Sequence, residues 1–149
     1  MAGRRVLITG VGSQVGTLLA AQLERDPDVE YVAGLDTRRP RMPLKETEFI
    51  EADIRDPEIG RLIPATGVDT IVHEQIVRQP GPRMSSHAMH DINVIGTLQL
   101  LAACERVPTL RTIVVRGSAG VYGAEPQAPQ FFREEMATMF PLQIGRAHV

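Results

Sequence analysis

Val6-Leu7-Ile8-Thr9-Gly10-Val11-Gly12-Ser13-Gln14-Val15-Gly16 runs straight into Thr17-Leu18-Leu19-Ala20-Ala21-Gln22-Leu23. A short apolar run enters a glycine-rich turn, and an amphipathic helical pattern leaves it. An apolar run of this length is what a parallel strand covered on both faces requires. The glycines permit positive φ and let a ligand approach the backbone. The helix behind the turn aims unpaired N–H groups and its positive dipole end at whatever lies above. The stretch therefore predicts strand, turn and helix, with a pyrophosphate-like anion at the helix N-terminus.

Outward from this unit, strand and helix patterns alternate. The first strand is expected over 4–9 and its helix to about Arg25, where Asp26-Pro27-Asp28 stops it. Tyr31-Val32-Ala33-Gly34-Leu35-Asp36 reads as a second strand ending on a carboxylate. Residues 37–45, rich in proline and basic side chains, read as a loop, and 48–52 as a third strand. Pro57 can open a short helix to about Ile63. Val68-Asp69-Thr70-Ile71-Val72-His73 reads as a fourth strand. Residues 86–106 form a long helical pattern, with Ile92, Ile95, Leu98, Leu101 and Ala102 as the expected buried face. Residues 110–115 read as a fifth strand, followed by the small-residue turn Gly117-Ser118-Ala119-Gly120-Val121-Tyr122-Gly123. A helical turn is expected near 133–138. The pattern predicts an α/β, Rossmann-type, doubly wound parallel sheet in the order 3-2-1-4-5. Its ligand should lie at the carboxyl ends of strands one and four.

Composition narrows the partners. The 149 residues carry sixteen basic and eighteen acidic side chains, a net charge of -2. That balance offers no footprint for nucleic acid or an anionic membrane, and the 4% aromatic content offers no stacking platform for bases. No apolar run approaches membrane-spanning length. A single cysteine, Cys104, excludes an internal disulfide and suits a cytoplasmic setting. It falls in an apolar helical pattern and reads as a buried, inert thiol. His87 and His90 lie three apart with no third ligand nearby, so no metal site is expected. Met136, Met139 and Phe140 read as packing residues.

Asp36 stands twenty residues beyond Gly16, where a carboxylate accepts both ribose hydroxyls of an adenosine. With that residue in place, the chain resembles the N-terminal half of an extended short-chain dehydrogenase/reductase of the nucleotide-sugar epimerase/dehydratase type. Six segments carry the resemblance in order. They are the turn from Thr9 to Gly16, Leu35-Asp36, Ala52-Asp53-Ile54-Arg55-Asp56, Asp69-Thr70-Ile71-Val72-His73, Asn93-Val94-Ile95-Gly96-Thr97 and Ser118-Ala119-Gly120-Val121-Tyr122-Gly123.

The resemblance implies a small-molecule substrate, NAD as cofactor, and a role for each matching residue. Thr9, Gly10, Gly12, Ser13, Gln14, Val15 and Gly16 would cradle the pyrophosphate, and Asp36 would hold the adenosine ribose. Asp53 would accept from the adenine amino group while Ile54 packs against the ring. His73 would begin the segment running past the cofactor. Asn93 would brace the neighbouring strand and loop through its amide. Ser118 matches the active-site Ser/Thr that hydrogen-bonds the reacting oxygen. Asp36 favours NAD over NADP, because a carboxylate at the ribose repels a 2′-phosphate. Arg38, beside Arg39, is the counter-argument, since a guanidinium could hold that phosphate.

The chain departs from the family pattern at two places. Ser13 stands where the turn usually has its middle glycine. Glu74-Gln75 follow His73 where small apolar residues are usual. A carboxylate there would sit near the nicotinamide or repel a phosphate.

The Tyr-x-x-x-Lys pair that supplies the family's general acid/base does not occur, Lys45 being the only lysine. Residues 1–143 therefore read as an incomplete dinucleotide-binding domain, truncated before its last strands and inactive by itself. Strand five would then be an exposed edge, and a helix that pairs subunits in related homodimers would be absent. Residues 144–149, Ile144-Gly145-Arg146-Ala147-His148-Val149, are the peptide that a common sequencing-adapter string would encode, and read as a non-native scar. The expected parent is an NAD-dependent epimerase/dehydratase acting on a nucleotide-sugar or similar hydroxy/keto substrate. The alternatives are an NADP-dependent reductase or hydroxysteroid-dehydrogenase-like relative, and a non-catalytic dinucleotide sensor.

Overall fold

A computed structural model describes residues 3–79, 81–123, 126 and 128–136. The expected scar at 144–149, and Met139 and Phe140, lie outside the described residues.

Five parallel strands form one sheet in the order β3-β2-β1-β4-β5, as the alternation predicts. They are β1 (Arg4–Thr9), β2 (Val29–Asp36), β3 (Glu48–Glu51), β4 (Thr70–His73) and β5 (Thr112–Val115). The crossovers carry α1 (Gln14–Leu23) and α2 (Ile59–Thr66), then α3 (Ser86–His90), a π-helical segment (Asp91–Gly96) and α4 (Thr97–Cys104). Alternate side chains of β1 serve opposite faces. Val6 and Ile8 join Val11, Ala20 and Val32 in the core beneath α1. Leu7 joins Leu35, Ile54, Ile63, Ile71, Leu100 and Cys104 in the core beneath α2 and α4. Cys104 is buried and free, and burial pushes its thiol up.

Several boundaries differ from expectation. β2 starts two residues earlier, whereas β4 and β5 each start two later. α2 runs through Pro64 and ends at Gly67, which takes a left-handed φ of 61°. The stretch near 133–138 shows a turn closed by the Met136 N–H on Arg133 C=O, with no helix among its described residues.

The expected buried face of the 86–106 helix needs correction. Ile95, Leu98 and Leu101 are exposed, as is Ala102, while Ile92 is only partly buried. The buried face instead carries Met89, Asn93, Gly96, Thr97, Leu100, Ala103 and Cys104. Gly96 explains the choice. A Cβ there would meet Ile54 Cγ2 at 2.5 Å, so only glycine lets this helix settle on the core. The winding is also interrupted by the π segment, where a continuous α-helix is expected.

All four residues of β5 are exposed. Among the described residues its far edge has no neighbour in the sheet.

Candidate functional site

The carboxyl ends of β1, β2 and β4 converge on the glycine turn. Gly10 adopts φ +78°, and its N–H donates to Leu35 C=O at 2.8 Å. A Cβ on Gly16 would lie 2.3 Å from Gly10 C=O oxygen, so the helix can begin this close to the strand only without one. Ser13, the residue in place of the usual glycine, caps α1. Its hydroxyl accepts the Gly16 N–H at 2.9 Å. Gln14 and Val15 are exposed and open α1, where N–H groups have no acceptor in their own helix. Thr17, which the spacing arguments do not single out, puts its hydroxyl 2.7 Å from both Val11 C=O and Ser13 C=O.

Asp36 ends β2 and turns its carboxylate over this turn. Oδ2 accepts the Gly12 N–H at 3.0 Å, and Oδ1 accepts the Arg38 N–H at 3.1 Å. Gly12 is obligatory for the approach, because a Cβ would meet Arg38 C=O oxygen at 2.3 Å. Beside Asp36, a cleft of about 510 Å³ is lined by Gly12, Ser13, Gln14, Arg38, Arg41 and Met42. The loop bearing these arginines is tied to the end of α1. Glu24 accepts N–H groups from Lys45, Glu46 and Thr47, and the Thr47 hydroxyl. Burial works to raise the Glu24 carboxyl, and these bonds outweigh it and lower the pKa.

Other expected site residues are placed differently. Asp53 is held by Arg55, with Nη2 to Oδ2 at 2.6 Å. That bond holds its carboxyl below the ordinary range. The Ile54 side chain is 1% exposed and lies in the main core against Gly96. The expected packing on an adenine ring is therefore closed to it.

His73 is fully buried at the end of β4. Nδ1 lies 2.7 Å from the Thr9 hydroxyl and Nε2 lies 2.8 Å from the Thr97 hydroxyl. Burial pushes its pKa down to about 4, so the ring is neutral. Its side chain links β1, β4 and α4 below the site. Asn93 clamps the loop after β4: Oδ1 accepts the Val77 N–H and Nδ2 donates to Val77 C=O, both at 2.8 Å.

Glu74 is buried, and Arg116 from the end of β5 pairs with it. Burial raises the Glu74 carboxyl and Arg116 partly offsets it. No sequence spacing marks this partner, 42 residues away. Ser118 is exposed beyond β5. Its hydroxyl accepts the Gly120 N–H at 3.1 Å and caps the 3-10 turn Ala119–Tyr122.

The description "NAD dependent epimerase/dehydratase family" matches residues 6–145 of the chain. The chain belongs to this family. An uncharacterized protein of Mycobacterium tuberculosis is 33% identical over 94% of the chain, which covers 38% of that relative. A UDP-glucose 4-epimerase of Klebsiella pneumoniae is 28% identical over 84% of the chain and 96% of its own length. The crystal structure of Bordetella bronchiseptica WbmH in complex with NAD+ superposes with a TM-score of 0.73 at 25% identity. That match covers 91% of this chain and 46% of WbmH. The chain thus spans under half of the mycobacterial relative and of WbmH.

NAD is the cofactor of the family, and the residues present fit it. The Cβ-free turn keeps α1 close to β1, the free first-turn N–H groups suit a pyrophosphate, and Asp36 holds a carboxylate beside the turn, chemistry that suits a ribose.

Proposed function

We propose that this chain is the NAD-binding part of an oxidoreductase of the epimerase/dehydratase type. Its substrate is a nucleotide-sugar or similar small hydroxy/keto compound. NAD, when bound, supplies hydride acceptance and return at a substrate carbon. The chain's own residues do the rest. Gln14 and Val15 N–H groups would bind the pyrophosphate, and Asp36 would accept from the ribose hydroxyls. Asp53 would bind the adenine amino group. His73 and Asn93 would hold the backbone that runs past the cofactor, and Ser118 would orient the reacting oxygen.

The observation that carries this reading is the bond from Gly12 N–H to Asp36. It supports the reading because it holds a carboxylate at the rim of the glycine turn, where it would select a free ribose over a 2′-phosphate. Arg38 and Arg41 line the same cleft, which makes cofactor choice the sharpest test. Calorimetric titration of the full-length protein should show NAD bound more tightly than NADP. Asp36→Ala should weaken NAD about tenfold or more, given about 1.5–3 kcal/mol for a charged hydrogen bond, and spare NADP. Equal NAD affinity in the variant would reject the assignment.

The same reading includes a homodimer. Ile95, Leu98 and Leu101 form an exposed apolar stripe on one helix face that a second copy would cover. A cytoplasmic setting agrees with the buried free thiol of Cys104. No helix among the described residues is long and apolar enough to cross a membrane.

A further inference from the structure

We propose that the Glu74–Arg116 ion pair sets the preference of the groove for oxidised over reduced cofactor. The inference rests on the placement of NAD proposed above. Both residues stand at carboxyl ends of parallel strands, the edge where such sheets take ligands. Glu74 N–H donates to Thr9 C=O at 3.2 Å, and Arg116 N–H donates to His73 C=O at 3.0 Å. The backbone nitrogen of Gln75 lies 2.8 Å from where a Cβ on Gly10 would stand. Glu74 and Gln75 are thus wedged between the pyrophosphate turn and the strand exit that leads, two residues beyond Arg116, to Ser118.

Hydride transfer needs the two reacting carbons about 3–3.5 Å apart. With the phosphates at the turn and the substrate oxygen at Ser118, as proposed above, the nicotinamide would span the interval. That interval is where Glu74 and Arg116 meet.

The pair is poorly explained as a fold-stabilising device. Glu74 is 8% exposed and Arg116 28% exposed. Desolvation at such sites commonly cancels the Coulombic gain, and apolar side chains of similar volume do as well or better. A charge pair beside the nicotinamide has a different consequence. The ring carries a positive charge only when oxidised, so the two cofactor forms differ by one charge at this position. Glu74 attracts that charge, and Arg116 moderates the attraction enough for the reduced form to be kept as well. Either residue alone would tip the balance in a partly dehydrated site.

The test is binding, not turnover. NAD+ and NADH are titrated separately into the full-length protein at pH 9 by calorimetry, for wild type, Glu74→Gln, Arg116→Met and Arg116→Lys. Glu74→Gln, close to isosteric, should weaken NAD+ relative to NADH about tenfold, the scale expected for a unit charge at a few ångströms. Arg116→Met should move the ratio about as far the other way, and Arg116→Lys should hold it near wild type. A ratio within about twofold of wild type in both Glu74→Gln and Arg116→Met would overturn the proposal and leave the pair a structural tie. If the wild type binds neither form, the placement of NAD falls instead.

Discussion

Ser13 and Ser118 do the same local job at two strand ends and live in opposite surroundings. Each has extended backbone, each opens a helical turn, and each hydroxyl accepts a backbone N–H just ahead. Ser13 is flanked by buried Val11, Gly16 and Thr17, and its turn is locked to β2 through Leu35 and Asp36. Ser118 follows a strand whose four residues are all exposed, and Gly117 and Ala119 beside it are exposed too. The turn proposed to recognise the cofactor is thus tied into the sheet core. The position proposed for the catalytic hydroxyl follows β5, which has no outer neighbour among the described residues. Few buried contacts mean low local stability, so among the described residues this end should be the less stable of the two.

The most severe way to break that contrast is to add bulk at each end. Gly16→Leu drives a side chain into Gly10 C=O, 2.3 Å from the ideal Cβ. It should cost roughly 3 kcal/mol, the upper range for overpacking, and abolish NAD binding to the full-length protein. A Cβ on Gly117 meets nothing within 4 Å, so Gly117→Leu should leave both the melting temperature and NAD affinity nearly unchanged. Equal effects of the two changes, by calorimetric titration and thermal melting, would erase the distinction.

His73 gives the buried side a pH signature. Its ring is neutral and held between Thr9 and Thr97, with a pKa near 4 in place of 6.5. Below pH 6.5 the unfolded chain takes up a proton that the folded chain refuses. Stability is therefore complete above about 6.5 and falls as pH drops towards 4, by roughly 3 kcal/mol at 1.36 kcal/mol per unit. Denaturant melts across that window should show the loss, and His73→Asn should remove most of it. An equally steep loss in the variant would place the acid sensitivity elsewhere.

The same division governs how much could be read from sequence. The unit from β1 to β2 announces itself because its signals are local: an apolar run, glycines at fixed offsets, a carboxylate at the next strand end. Strand order follows from the alternation and the handedness of crossovers. The helix after β4 defeats this logic because two stripes share its period. The more apolar one, Ile95, Leu98 and Leu101, faces out. The mixed one faces in because Asn93, Gly96 and Thr97 each meet a specific partner, Val77, Ile54 and His73. Periodicity reports that a face exists but not what covers it. Ile54 misleads in the same way: the motif suggests a side chain facing a ligand, and the side chain turns into the space Gly96 leaves. Arg116 and Glu24 bind partners fixed only by tertiary structure.

The finest comparison returns to the two caps. Ser13→Ala removes the acceptor for Gly16 N–H at the start of a ten-residue helix anchored in the core. Loss of such a cap costs about 1 kcal/mol, visible as a lower denaturant midpoint in the full-length protein. Ser118→Ala removes a bond of similar length, 3.1 Å to Gly120 N–H. Here water can replace the lost oxygen, and the short turn it caps buries nothing. The expected change is within about 0.5 kcal/mol, ordinary for an exposed position, with NAD affinity intact. Substrate turnover, in contrast, should be lost in this variant alone. A Ser118→Ala protein as destabilised as Ser13→Ala would show that the β5 end is as firmly held as the glycine turn. The contrast in burial between the two ends would then not translate into a contrast in stability.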